Sequence, residues 1–103
     1  MERTAMLRGI LTQNPNDAFA RYGLAMELAN QGDADAALRE FEQLTTANPD
    51  YTAGYQMSAQ LLIKAGRGDE ARRRLEAGVA AAQRTGNRLA LNEMSAMLDD
   101  LSI

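Results

Sequence analysis

The side chains that could do chemistry in this chain are few, and whole classes are missing. There is no histidine and no cysteine. Thiolate nucleophiles, disulfides, zinc knuckles and the commonest acid/base group and transition-metal ligand therefore drop out together. Carboxylates and guanidiniums remain. The pairs Asp33/Asp35 and Asp99/Asp100 have the right atoms for proton transfer or a hard metal, but calcium takes roughly six or more converging oxygens. Neither pair has that company, and they read as a helix start and a solvated tail. The run Arg72-Arg73-Arg74, with Arg67, Arg84 and Arg88 near it, invites a phosphate or nucleic-acid reading. Consecutive helix positions point in different directions, however, and Asp69, Glu70 and Glu76 stand one turn away, so a solvated face is the expectation. Arg67-Gly68-Asp69 matches a cell-adhesion tripeptide but falls in an inter-helix turn, where glycine gives backbone freedom and aspartate starts a helix. No glycine-rich phosphate loop, nucleophile elbow or hydrolytic triad can be assembled. Neither an enzyme nor a cofactor nor a metal is expected.

The composition fits a single helical domain. At 103 residues the chain has room for one core and no separate catalytic lobe. Only 5% of residues are aromatic, which favours helices built on Ala, Leu and Met over a β-sandwich. A net charge of −3 is too mild to draw the chain to a polyanion. The N-terminal residues contain no signal-type apolar core, and no stretch approaches the ~20 apolar residues of a membrane span. A soluble, cytoplasmic protein is expected.

Taken in order, the elements that position these side chains are helices. Met6, Leu7, Ile10 and Leu11 recur at one-turn spacing, and Asn14-Pro15 stops them. Asn16 or Asp17 can cap a second helix running to Gly32, with Leu24, Ala25 and Leu28 on one stripe and Phe19, Tyr22, Met26 and Ala29 on another. After the Gly32-Asp33 turn, Asp35 can cap or favour the dipole of a third, carrying Ala37, Leu38, Phe41 and Leu44 to Asn48-Pro49. Tyr51 to Ala65 and Asp69 to about Arg84 repeat the plan, and Arg88 to Leu101 adds a sixth amphipathic segment. Short turns between them make antiparallel hairpins.

A shift of 34 positions superimposes the parts. Asn14-Pro15 falls on Asn48-Pro49, Leu28 on Leu62, Gly32 on Gly66, Asp35 on Asp69, Ala37 on Ala71 and Phe41 on Leu75. A 34-residue helix-turn-helix unit with Leu in its first helix, Ala-x3-Phe in its second and a closing Pro resembles the tetratricopeptide repeat (TPR) pattern. The matching residues are Leu24, Gly32, Ala37, Phe41 and Pro49, then Leu62, Gly66 and Ala71. Arg21, Ser58 and Gln83 depart from it. The resemblance implies an all-α, right-handed stack of hairpins: a half-repeat over 1–14, repeats at 16–49 and 50–85, and a capping helix at 87–101, all one domain. Small residues at Ala25, Ala37, Ala59 and Ala71 suit closely crossing helices.

In such proteins the first helices line a concave groove that holds partners. Here that implies Phe19, Tyr22, Met26, Ala29 and Asn30, then Gln56, Met57, Gln60, Ile63 and Lys64, an apolar wall for an apolar or amphipathic segment of another protein. The carboxylate-gripping TPR subset wants polar groups where Tyr22, Met26 and Met57 stand, so that scheme is not expected. A second expectation is a homodimer through the sixth helix, with Leu91, Met94, Met97, Leu98 and Leu101 as its seam.

Overall fold

The computed structural model describes residues 2–102. Six helices and no strand occur among them: α1 (Arg3–Gln13), α2 (Ala18–Asn30), α3 (Ala34–Ala47), α4 (Thr52–Lys64), α5 (Gly68–Thr85) and α6 (Arg88–Leu101). The fold is an all-α helical repeat. It divides into two compact units, one ending at Asn48 and the other beginning at Pro49.

In the first unit, α1 packs on α2 and α2 on α3. Asn14 ends α1 in an extended conformation, the geometry a following proline imposes, while its N–H still donates to Ile10 O at 2.8 Å. Asp17 caps α2 by accepting from Ala20 N at 3.0 Å. The cap of α3 falls to Asp33 rather than Asp35. Asp33 is non-helical and accepts from Ala36 N, whereas Asp35 already lies in the first turn, where its charge favours the helix dipole.

The Asp caps are not repeated in α4 and α5, but the turn between paired helices is closed alike in both units, at a spacing of 34. Asp33 N donates to Leu28 O and Gly32 N to Ala29 O; Arg67 N donates to Leu62 O and Gly66 N to Ile63 O. This is a Schellman closure, and it needs the left-handed backbone that Gly32 (φ 85°) and Gly66 (φ 76°) supply without a Cβ penalty. Within the second unit α5 packs on both α4 and α6.

Each unit buries the residues its periodicity selects. Leu24, Phe41 and Leu44 are buried in the first, and Leu62, Leu75 and Met94 in the second; burying each such side chain is worth about 1.5–3 kcal/mol. Ala25, Ala37, Ala59 and Ala71 are fully buried, as close helix crossings require. Gly9 is different: it is an exposed position of α1, and a Cβ built there meets nothing within 4 Å. Gly9→Ala is therefore expected to stabilise the chain by about 0.5–1 kcal/mol through helix propensity and a less disordered unfolded state. A raised thermal midpoint checks it.

Candidate functional site

On α2, Phe19, Tyr22, Met26 and Asn30 recur at helical spacing and share a face. With Arg3 and Leu7 of α1 and Gly23 and Glu27 of α2 they line a crevice of about 500 Å3. Gly23 faces Leu7 of α1, and a Cβ there would stand 3.4 Å from Leu7 Cδ2, in ordinary contact. Phe19 is 80% exposed, an aromatic ring offered to solvent. Tyr22 is held from behind, its ring meeting Phe41 edge-on at 6.2 Å and 66°. Burial raises its hydroxyl pKa, so the group stays neutral near pH 7. At the crevice edge the Arg3 guanidinium meets Glu27 at 3.3 Å. Gln31 donates to Thr4 Oγ1 at 2.9 Å and to Glu2, tying the end of α2 to α1.

The α4 residues of the expected groove are placed less uniformly. Gln56 is half-buried and donates to Glu93 of α6 at 3.3 Å. Met57 is half-buried, while Gln60, Ile63 and Lys64 are exposed. The contribution of Arg3 and Leu7 of α1 to the first-unit crevice was not read from the sequence.

The sixth helix is only partly free to serve as a seam. Met94 is fully buried against α5, and a Cβ at Gly78 would collide with its Sδ. It belongs to the core of its own unit. Leu91, Met97, Leu98 and Leu101 are half-buried.

The arginine run is not a plain solvated face. Arg74 lies over the Tyr55 ring at 4.9 Å and donates to Ser58 Oγ at 3.0 Å, and Arg72 reaches Leu101 O. Arg67 binds Glu70 through two hydrogen bonds, which hold that carboxyl below its ordinary pKa. These guanidiniums are engaged within the unit, leaving little of a phosphate-binding cluster. Among the described residues no group of three carboxylates could hold a metal, and no helix is long and apolar enough to cross a membrane.

Position 21, where the repeat pattern wants an aromatic, does the same job by other means. Arg21 donates to Pro15 O at 3.0 Å and pairs with Glu40 at 2.6 Å; its counterpart Tyr55 donates to the equivalent carbonyl, Pro49 O, at 2.8 Å. Two unlike side chains thus fasten the same loop in the two units.

Comparison with known proteins places this arrangement. The tetratricopeptide repeat family model matches residues 28–91, and a TPR repeat-containing protein of Pseudomonas aeruginosa is 30% identical over 95 residues, 92% of this chain and 90% of that one. The chain belongs to the tetratricopeptide repeat family. A TPR domain protein of Salinibacter ruber, solved in solution, is 31% identical with a TM-score of 0.80 over 85% of this chain and 89% of its own. The TPR fold is also shared with PcrH, solved with the chaperone binding region of PopD, at 16% identity and a TM-score of 0.88 over 96% and 75% of the two chains.

Proposed function

We propose that this TPR chain is a non-enzymatic binding module that holds an apolar or amphipathic segment of another protein on its first-helix faces. Phe19, Tyr22, Met26 and Asn30 would form the α2 part, and Gln56, Met57, Gln60, Ile63 and Lys64 the α4 part. The observation that carries this is Phe19, exposed at the rim of a crevice whose apolar floor of Leu7, Tyr22 and Met26 is edged by Arg3, Glu27 and Asn30. Water-facing aromatic surface of that kind gains about 1.5–3 kcal/mol when covered. Met26 can adapt to an incoming side chain, while Tyr22, braced on Phe41, has little rotamer freedom left to lose on binding. Asn30 and the Arg3–Glu27 pair supply the polar rim. That PcrH is solved with a segment of PopD supports the view that this fold can hold such a guest.

The test is direct binding of a panel of labelled amphipathic peptides to the whole chain by fluorescence anisotropy. Phe19→Asp is expected to weaken every productive peptide by roughly tenfold or more, in line with loss of an interface anchor, while leaving the circular dichroism spectrum unchanged. Peptides that bind wild type and Phe19→Asp equally, or a panel with no binder at about 1 mM, would sink the reading.

A further inference from the structure

We propose, resting on the binding role above, that the segment held by the second unit carries basic side chains beside its apolar ones and docks on α6 as well as on α4. A shift of 36 sets Leu89, Asn92, Glu93, Ala96, Asp99 and Asp100 of α6 on Ala53, Gln56, Met57, Gln60, Ile63 and Lys64 of α4. All six of these α6 residues are exposed, whereas Ala90 and Met94 are buried and Leu91 and Leu98 half-buried. The apolar stripe of α6 is thus spent within its own unit, and the side left open is the one that matches the guest-facing side of α4.

The two open sides adjoin. Gln56 donates to Glu93 at 3.3 Å, and Asn87 donates to Thr52 Oγ1 at 3.3 Å. These contacts advance together along both helices, so α4 and α6 run parallel and end on the same side. A segment lying on Gln56 and Met57 therefore meets Asn92 and Glu93 next.

Charge selects the guest. At the six positions α4 carries only the cation Lys64, whereas α6 carries Glu93, Asp99 and Asp100; the matching positions of α2, one repeat earlier, carry no charge. Arg72 donates to Leu101 O at the end of α6, yet acids outnumber cations even with Arg72 and Lys64 set against them. The C-terminal dipoles of two parallel helices add to the same negative field. A basic segment is drawn to such a face and an acidic one is repelled. For its apolar side chains the face offers Leu89, 70% exposed, which lies about 15 Å from Asp99 along the helix axis.

Two labelled peptides test this on the full chain by fluorescence anisotropy: an amphipathic peptide of Leu and Lys, and the same peptide with Glu in place of every Lys. The Lys peptide should bind about tenfold or more tightly than the Glu peptide. That advantage should shrink between about 0.1 M and about 1 M salt, as the screening length falls from about 10 Å to about 3 Å. Asp99→Lys with Asp100→Lys, at exposed sites where cations suit the helix dipole, should reverse the preference. Leu89→Asn should weaken the Lys peptide by about fivefold or more through lost apolar contact, with the circular dichroism spectrum unchanged. Equal affinity of wild type for the two peptides, a preference that survives the charge reversal, or indifference to Leu89→Asn overturns the proposal and leaves the binding role standing. Binding of neither peptide overturns it too, and the uncharged peptides of the wider panel then decide whether the binding role itself survives.

Discussion

Replacing Phe41 with alanine is expected to cost about 3–5 kcal/mol of folding stability, the range for deleting a buried aromatic. The ring is 1% exposed, and it carries Tyr22 on its edge. Truncation therefore loses the transfer energy of the ring, leaves a cavity, and removes the brace behind one wall of the crevice. A domain of this size has about 5–15 kcal/mol in total, so the variant should denature at markedly lower urea concentration and bind peptide poorly even where it is folded. Phe19→Ala provides the contrast. It deletes the same ring in the same unit, but from a site 80% exposed, and should change stability by no more than about 0.5 kcal/mol. Equal costs for the two would mean that the division between core and binding face is misassigned.

Adding a single methyl group at Gly78 is the second large effect. Helix propensity alone would reward Gly78→Ala by nearly ~1 kcal/mol, and that is the sign expected at Gly9. At Gly78 the added Cβ would collide with Met94 Sδ and stand 2.8 Å from Tyr55 Cβ, so α4, α5 and α6 all converge on the vacant position. The methionine tail can swing away, but Tyr55 Cβ moves only with its backbone. Overpacking of a tight core costs about 1–3 kcal/mol, and the net outcome is expected to be destabilising. A double-mutant cycle with Met94→Ala separates the causes. Relief of the collision predicts a double variant less unstable than the sum of the two singles by about 0.5 kcal/mol or more; strict additivity would show that Met94 is not what the methyl meets.

Much of this was legible before any coordinates. The 34-residue register identified which residues are equivalent, and the equivalence extends to hydrogen bonds: the Leu28–Asp33 and Leu62–Arg67 closures are the same bonds one repeat apart. Helix limits followed from proline, glycine and side-chain caps, local signals acting over one turn. Of the two roles the sequence allowed Asp35, cap or dipole partner, the structure gives it the second and leaves the cap to Asp33.

The amphipathic period also determined that α2 has two faces and that Phe19, Tyr22 and Met26 share one of them, because a helix allows no other arrangement. It could not decide what lies across from them. That Leu7 and Arg3 complete the crevice, that Met94 spends itself on Gly78, that Arg74 turns inward onto Tyr55 and that Arg21 stands in for an aromatic are all tertiary facts. Each depends on which neighbour arrives opposite a given face and how near, and that distance is set jointly by side chains far apart in the chain.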